Sequence, residues 1–386
     1  MSEWKEIELG QVADVRGGKR LPKGEALSEF PTNHPYIRTR DIANHKIKIN
    51  ELLFVPDDIF SSISNYTVEE NDLIISIVGT IGLCAVIPKE LHLASLTENC
   101  AKIVNINNKQ INRTFLFYYL ISEEGQAEIE SRSVGSTQPK LPLYNIKSIK
   151  IPVPPLPEQR AIASVLSSLD DKIDLLHREN KTLEAMAETL FRQWFVEEAK
   201  DEWEDAKLGE VVTITYGKNL PIKKLLKSGY PVFGGNGQIG FYNKYLYVEP
   251  QVLVSCRGEA SGKVNISLPR SFITNNSLIL VRDKRKEITF EYLKYHSLNY
   301  DFTLHVTGSA QPQITIDNLY DAAFLIPPVD LINKFTEIVR GCEEKRTNNL
   351  KQIHTLEKLR DTLLPKLMSG EVRVKYEEEE MASCRA

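Results

Sequence analysis

Apolar residues recur at alternating spacings of three and four along residues 166–194, through nine consecutive positions of which only Asn180 is polar. This heptad spacing places the side chains in one stripe along a helix and is typical of helices that pair along a shared seam. We therefore expect a helix–helix seam in this part of the chain. Its members are Leu166, Leu169, Ile173, Leu176, Asn180, Leu183, Ala187, Leu190 and Trp194.

The same register returns 173 residues later, between Val339 and Leu367. A helix of roughly 40 residues is about 60 Å long, and an apolar stripe of that length has to be covered. Either each helix packs on its own globular part, or the two stripes bury each other in an antiparallel pair. We expect the pair, because each helix follows one globular part. The second stripe consists of Val339, Cys342, Arg346, Asn349, Ile353, Leu356, Arg360, Leu363 and Leu367.

The rest of the chain predicts short strands and a few short helices. Apolar runs at residues 73–78, 252–256 and 278–281 alternate with turns rich in Gly, Asn and Pro, as strands do. Amphipathic stretches at residues 115–121 and 292–298 predict one short helix in each half.

The chain is an internal repeat. EWKEIELGQVADVRGGK returns as EWEDAKLGEVVTITYGK 199 residues later, and GSTQPKLPLYN returns as GSAQPQITIDN 173 residues later. Self-similarity of this kind indicates two related modules, the second with deletions in its interior. We predict an α+β (α/β) fold with two globular domains, an antiparallel pair of long coiled-coil helices and circular pseudo-two-fold symmetry. The expected segments are domain 1 at 1–154, a spacer helix at 155–199, domain 2 at 200–327, a spacer helix at 328–376 and an acidic, disordered tail at 377–386.

Composition narrows the classes of function. The 386 residues carry a formal net charge of −4, so any contact with DNA has to come from local basic patches. We find no apolar run of 18 residues, and the five cysteines are scattered, which favours a soluble, cytoplasmic protein. No metal-ligand spacing and no phosphate-binding glycine loop is present.

Two long motifs resemble a known family. The run IPVPPLPEQRAIASVLSSLDDKID, continuing to LFRQWF, is similar to the central conserved region of specificity (S) subunits of type I restriction-modification systems. LEKLRDTLLPKLMSGEVRV resembles their distal conserved region, and the two openings WKEIELGQV and WEDAKLGEV are also typical of the family. The resemblance covers nearly the whole chain.

The resemblance implies a DNA-recognition subunit with no catalytic step of its own. Each of two target-recognition domains would read one half of a bipartite, asymmetric target in the major groove of double-stranded DNA. The helices would set the spacing and dock two modification (M) methyltransferase subunits, which associate with restriction (R) subunits. No cofactor is expected on this chain, since S-adenosylmethionine and ATP belong to the partner subunits.

Two other functions compete with this one. NHPY at residues 33–36 and FGGNG at residues 233–237 approach the motifs of a stand-alone or fused N6-adenine methyltransferase. Two observations count against this function. His34 replaces a proline of the motif, and Pro35 and Pro231 are equivalent positions of the repeat. Two different motifs of one active site should not occupy equivalent positions of two repeats. The other alternative is a coiled-coil adaptor without a role at DNA.

Basic and amide side chains cluster in the turns of both modules, where they could contact bases and phosphates. Arg38, Arg40 and Arg257 are the preferred base readers, because a guanidinium group can form two hydrogen bonds with one guanine. The repeated Gly-Ser-x-Gln-Pro motif is either a structural turn or a backbone clamp. The full candidate set is Lys19, Arg20, Lys23, Arg38, Arg40, Gln138, Lys140, Lys218, Lys223, Lys224, Asn236, Gln238, Arg257, Lys263, Gln311 and Gln313.

Overall fold

The structure is a computed structural model that describes residues 4–135, 137–308 and 311–375. The chain divides into two compact units, Met1–Leu175 with Gln352–Ala386, and Leu176–Lys351. The division falls inside both long helices, so each unit contains one globular module and part of each helix. The five-segment division of the sequence stays a prediction, and its acidic tail lies outside the described residues, as do Ser136 and Ser309 of the repeated motif.

The first module, module 1, contains three main strand groups. Strands β2, β10, β7 and β8 form a four-stranded sheet in that order, β6, β3 and β9 form a three-stranded sheet, and β1 pairs with β11; a short hairpin, β4–β5, is separate. The strands are β1 (Lys5–Glu8), β2 (Asp14–Gly17), β3 (Pro35–Ile37), β4 (Ile42–Ala43), β5 (Lys46–Ile47), β6 (Leu53–Phe54), β7 (Leu73–Ser76), β8 (Cys84–Val86), β9 (Ser95–Leu96), β10 (Cys100–Val104) and β11 (Lys150–Val153).

The helices of module 1 pack on this framework. The four residues of β7 are all buried, and so are six residues of the helix that begins at Arg113, which explains why both segments are almost wholly apolar. The helices are α1 (Asp57–Phe60), α2 (Arg113–Ile121), α3 (Glu123–Ser131) and α4 (Leu143–Lys147), and the first long helix is α5 (Leu156–Arg192), which continues as a π-helical turn at Gln193–Glu197.

The second module, module 2, has the same strand order. Strands β13, β19, β16 and β17 form its four-stranded sheet, β15, β14 and β18 its three-stranded sheet, and β12 pairs with β20. The strands are β12 (Glu204–Lys207), β13 (Thr213–Tyr216), β14 (Tyr230–Gly234), β15 (Gly237–Tyr242), β16 (Val252–Ser255), β17 (Val264–Ile266), β18 (Phe272–Ile273), β19 (Ser277–Val281) and β20 (Ala323–Ile326). The helices are α6 (Leu208–Val211), α7 (Phe290–Asn299), α8 (Ile316–Tyr320) and the second long helix, α9 (Val329–Met368).

Strand pairing confirms the repeat found in the sequence. Lys5 pairs with Val153 in module 1 and Glu204 with Ile326 in module 2, so the first and last strands of each module are neighbours. The strands predicted at 73–78, 252–256 and 278–281 are confirmed as β7, β16 and β19, and the two predicted short helices as α2 and α7. Each module therefore begins and ends with two strands that pair with each other.

In the first unit, the beginning of α5 shares a core with the end of α9. Ile162 and Leu166 are buried in the same apolar cluster as Leu367 and Met368. Polar contacts run alongside: the Asp170 carboxylate accepts hydrogen bonds from the Tyr118 hydroxyl at 2.6 Å and from the Arg360 guanidinium at 2.8 Å.

The segment after α9 also belongs to this unit. The guanidinium of Arg373 forms an ion pair with the buried Glu158 carboxylate, with Nη2 and Oε2 2.7 Å apart. The same guanidinium lies 5.4 Å from the centre of the Trp4 ring. In this way the described end of the chain contacts its beginning.

In the second unit, the end of α5 packs on the beginning of α9. Phe191 and Phe195 share a buried cluster with Ile332 and Phe335, with ring centroids of Phe195 and Phe335 5.1 Å apart. Farther along, the Asn349 amide donates to Asn180 Oδ1 at 2.9 Å. Within each unit, the residue number in α9 thus rises as that of the contacting residue in α5 falls, which is the order of an antiparallel pair.

The predicted seam residues are all at least partly buried. Leu166, Ile173, Leu176, Ala187, Val339, Asn349, Ile353 and Leu367 are buried, and Leu169, Asn180, Leu183, Leu190, Trp194, Cys342, Arg346, Leu356, Arg360 and Leu363 are partly buried. Within the described residues, no helix is long and apolar enough to cross a membrane.

Candidate nucleic-acid interface

Most of the predicted interface residues lie in turns at one edge of each four-stranded sheet. Strands β2 and β7 of module 1 end at Gly17 and Ser76, and β10 begins at Cys100. Because β10 is antiparallel to both neighbours, these three points lie at the same edge of the sheet. We call the turns at this edge the edge turns.

Backbone hydrogen bonds hold the edge turns of module 1 together. The Lys19 amide donates to the Leu96 carbonyl at 2.8 Å, and the Ile77 amide to the Asn99 carbonyl at 2.8 Å. The Leu141 amide then donates to the Ile77 carbonyl at 2.9 Å, which attaches the segment after the Gly-Ser-x-Gln-Pro motif. Turns that are far apart in sequence therefore form one surface.

Module 2 repeats these bonds at equivalent positions. The Lys218 amide donates to the Ile273 carbonyl at 2.9 Å, the Cys256 amide to the Asn276 carbonyl at 3.0 Å, and the Ile314 amide to the Cys256 carbonyl at 3.1 Å. The two modules thus build their edge turns in the same way and differ in the side chains that they carry.

One glycine per module permits the close approach of two edge turns. A Cβ atom on Gly18 would lie 2.1 Å from the Thr97 carbonyl oxygen, and one on Gly217 would lie 2.2 Å from that of Thr274. No larger residue fits at either position without backbone movement, which explains why both repeats have a glycine before the lysine.

The Gly-Ser-x-Gln-Pro motif lies in a hairpin that is closed by its flanking residues. Val134 and Lys140 exchange two backbone hydrogen bonds of 2.8 and 2.9 Å, and Thr307 and Gln313 do the same in module 2. The glycine of each motif has a positive φ, +92° and +84°. This geometry favours the structural turn, while a clamp on DNA stays a prediction because the central serines lie outside the described residues.

Fifteen of the sixteen candidate interface residues are exposed, and Arg38 is the exception. The Arg38 guanidinium donates to both carboxylate oxygens of Asp41, at 2.8 and 2.7 Å, and to the Glu51 carbonyl at 2.9 Å. Asp41 is buried, so this ion pair has a structural role in module 1. The geometry gives no support to Arg38 as a base reader, and Arg38 is not part of the proposed interface.

The other basic candidates of module 1 differ in their partners. Arg20 forms an ion pair with Glu98, with Nε and Oε1 3.1 Å apart, and the Lys19 ammonium lies 5.7 Å from the centre of the Tyr66 ring. The remaining exposed candidates of this module are Lys23, Arg40, Gln138 and Lys140.

The candidates of module 2 surround two adjoining clefts. Asn236 and Arg257 line the larger one, of about 840 Å³, and Asn236 and Lys263 line the smaller one, of about 400 Å³. Arg257 and Gln313 are bridged through their backbones. The other exposed candidates are Lys218, Lys223, Lys224, Gln238 and Gln311.

Sequence reasoning missed three side chains of the larger cleft, Asn219, Asn275 and Asn276. The signal that could have found them is the repeat itself, in which TENCAKIV of module 1 corresponds to TNNSLILV of module 2. The second position of this match changes from a carboxylate to an amide, and such a difference between equivalent turns is expected of residues that read different bases.

The Ser-Cys-Arg-Gly segment at residues 255–258 offers no nucleophile. Burial raises the pKa of the Cys256 thiol, and the neighbouring Arg257 opposes the shift. A thiol that stays protonated at neutral pH is a packing residue rather than a reactive one.

The two segments that approach methyltransferase motifs lie at opposite ends of equivalent strands. NHPY leads into β3, and FGGNG lies at the turn from β14 to β15. Both β3 and β14 are the central strands of equivalent three-stranded sheets, and the His34 ring stacks on Phe60 with centroids 3.6 Å apart. Each segment is therefore part of the strand framework of its own module, which argues against two parts of one active site.

A family model described as "Type I restriction modification DNA specificity domain" matches residues 1–185 and 200–352. The chain belongs to this family. Its members are specificity subunits, which are DNA-recognition components and not catalytic ones. The resemblance inferred from the sequence motifs is thereby confirmed, and so is the expectation of a non-catalytic chain.

The chain is similar to other specificity subunits along nearly its whole length. The chain is 28% identical over 415 residues to the Type I restriction enzyme MjaIX specificity subunit of Methanocaldococcus jannaschii, covering 96% of this chain and 94% of that protein. It is 22% identical to the Type I restriction enzyme EcoprrI specificity subunit of Escherichia coli, covering 90% and 93%. The crystal structure of a type I restriction-modification S subunit from M. genitalium has the same fold, with a TM-score of 0.60 at 18% identity over 95% of this chain and 96% of that one.

Proposed function

We propose that this specificity subunit reads a bipartite, asymmetric target in double-stranded DNA, one half with each module. The observation that carries the proposal is the pair of equivalent edge-turn surfaces, each fixed by the same backbone hydrogen bonds and each rich in basic and amide side chains. Groups of this kind supply both phosphate contacts and base-edge contacts in the major groove.

The two halves of the target differ, because the two surfaces differ. Asn236 of module 2 follows the end of β14 where module 1 has Arg40 after β3, and Gln313 stands where module 1 has Lys140. Side chains with different donors and acceptors prefer different bases, so an asymmetric target follows.

In the proposed complex the long helices form an antiparallel coiled coil with circular pseudo-two-fold symmetry, and they set the distance between the half-sites. The order of contacts within each unit supports the antiparallel direction. Exposed apolar residues on the same helices, which the seam does not use, support docking of two modification (M) subunits; they are Leu175, Met186, Ile338, Leu350 and Leu359. Restriction (R) subunits would join through these partners, with S-adenosylmethionine and ATP bound there, in the cytoplasm.

The test is a salt titration of DNA binding by the chain in complex with its modification subunits. Binding to a randomised duplex pool should select one split sequence, and the logarithm of the binding constant should fall linearly with the logarithm of salt concentration. The variant Lys223→Gln/Lys224→Gln should reduce the slope by about one unit for each lysine that no longer neutralises a phosphate, with little change of the selected sequence.

A matched control carries the same reduction of charge elsewhere in module 2. Lys244 and Lys286 are exposed and follow the ends of β15 and β19. Strand β19 starts at the edge turns of module 2, and β15 starts at the turn that carries Asn236. The variant Lys244→Gln/Lys286→Gln should keep the wild-type slope. A complex that selects no sequence would favour the adaptor function instead, and equal slopes for both variants would remove the lysines of 223–224 from the interface.

A further inference from the structure

The larger cleft of module 2 carries an unusual set of polar side chains. It lies among the segment at 219–225, the turn between β14 and β15, the turn after β16 and the residues between β18 and β19. Among the described residues, four asparagines and one arginine line it, and no carboxylate does. These residues are Asn219, Asn236, Arg257, Asn275 and Asn276.

Within the described part of the chain, these five side chains form no hydrogen bond or ion pair with other protein groups. Their backbones, in contrast, are fixed: the Asn276 carbonyl accepts from the Cys256 amide at 3.0 Å, and the Asn275 carbonyl accepts from the Cys256 thiol at 3.6 Å. Four of the five are exposed and Asn275 is half-buried. The cleft thus presents hydrogen-bonding groups that are held in place and left available to a ligand.

Two of the equivalent positions of module 1 have paired with each other instead. Asn219 follows Lys218 as Arg20 follows Lys19, and Asn275 follows Thr274 as Glu98 follows Thr97. In module 1 this pair of positions forms the Arg20–Glu98 ion pair of 3.1 Å. Two amides therefore stand in module 2 where module 1 has two opposite charges.

We propose that the larger cleft is the base-reading site of module 2 and that its amides select adenine. This inference rests on the proposed function. An asparagine amide offers one donor and one acceptor, which match N7 and the N6 amino group of adenine in the major groove. Asn219 and Asn275 are the adenine readers, and Arg257, with an exposed guanidinium, adds a guanine contact.

Module 1 lacks these free amides. Arg20 and Glu98, at the positions of Asn219 and Asn275, form an ion pair with each other. Introducing that pair into module 2 should therefore remove the adenine preference of the cleft.

The experiment uses the full chain in complex with its modification subunits and a duplex library in which both half-sites are randomised. The wild-type complex should select adenine at one or more positions of the module 2 half-site. The single variants Asn219→Ala and Asn275→Ala should each reduce the preference for one adenine by about tenfold. The double variant Asn219→Arg/Asn275→Glu, which introduces the ion pair of module 1, should abolish that preference, because the two new side chains would pair with each other.

Two controls keep the outcome interpretable. Asn243, exposed just after β15, lies away from the cleft, and Asn243→Ala should select the wild-type sequence. The module 1 half-site should remain unchanged in every variant, which shows that the complex is folded and bound. A wild-type complex that selects no sequence would overturn the proposed function itself. A wild-type complex with two selected half-sites that the cleft variants leave unaltered would overturn only the cleft as reading site.

Discussion

His296 of α7 is a titratable group inside the aromatic core of module 2. Its ring centroid lies 4.1 Å from that of Phe324 and 5.9 Å from that of Tyr300, which is stacked with it. Its Nδ1 atom is buried and, within the described residues, has no hydrogen-bond partner. Burial lowers the pKa of His296 from 6.5 to about 4, because the charged ring cannot be hydrated there.

This residue predicts an acid-sensitive module 2. A histidine with a lowered pKa in the folded state stabilises the fold above pH 6.5, and that contribution is lost as the pH falls from 6.5 towards 4. Between pH 7.5 and pH 5, the free energy of unfolding should fall by at most about 2 kcal/mol on account of His296. His296→Phe should abolish this part of the decrease in denaturant titrations at the two pH values.

The control for this prediction is His177→Ala, since His177 is exposed on α5. That variant should show the pH dependence of the wild type. If His296→Phe also keeps the wild-type dependence, the buried ring does not account for the acid sensitivity.

Single residues also show where sequence reasoning stops. Arg20, Arg38 and Arg257 all lie in turns and all are candidates for DNA contact by residue type. Arg38 is held by the buried Asp41 and Arg20 pairs with Glu98, whereas the Arg257 side chain has no protein partner among the described residues. The residue type and the turn could be predicted from local sequence. The partner could not, because Glu98 lies 78 residues from Arg20 and is placed beside it by strand pairing.

At the level of elements, the seam between the long helices contains an amide pair, the partly buried Asn180 and the buried Asn349. Asn349 is only 1% exposed, and its Nδ2 donates to Asn180 Oδ1 and to Glu179 Oε2, both at 2.9 Å. Both asparagines are members of the predicted stripes. A buried polar pair of this kind fixes register at some cost in stability, since a shifted pairing would leave the amides without partners.

We predict opposite effects of single and double replacement. Asn180→Leu leaves the Asn349 amide without that acceptor and should lower the free energy of unfolding by about 1–3 kcal/mol. Asn180→Leu/Asn349→Leu removes both polar groups and should recover that decrease or exceed the wild type. Denaturant titrations of the four members of this double-mutant cycle measure the coupling.

Asn348, exposed beside Asn349, provides the control, and Asn348→Leu should be nearly neutral. Additive single effects, with no recovery in the double variant, would show that the amide pair does not determine the pairing of the helices.

The repeat allowed the two-module plan and several of its elements to be predicted, because equivalent strands recur in the same order in both copies. The central pairs β3–β9 and β14–β18 lie at matching positions of the two modules, and so do β1–β11 and β12–β20. The hairpin β4–β5, of two residues per strand, had no signal of its own. Its strands are too short to show a period and have no copy among the described strands of module 2.

For the whole molecule, the proposed spacing role of the helices can be tested by lengthening both. Insertion of one heptad after Leu175 in α5 and of one after Lys351 in α9, where the two compact units divide, keeps the seam register. Seven residues add about 10.5 Å of helix, which is near three base pairs of axial rise. Selection from a duplex library should then yield the same half-sites with about three more base pairs between them.

The control for this prediction is a variant with a heptad inserted in only one of the two helices. It shifts one stripe against the other and should weaken binding to every spacing. An unchanged spacer with both insertions present would show that the helices do not set the distance.

The first compact unit is assembled from two separate stretches of chain, whereas the second, Leu176–Lys351, is continuous. During translation, the ribosome therefore completes the second unit before the first. Ile162 and Leu166 must wait for Leu367 and Met368, about 200 residues later, before their shared core can close. A nascent chain interrupted after residue 351 would carry a whole second unit and a first unit with its apolar helix face uncovered, a species suited to capture by chaperones and not to assembly.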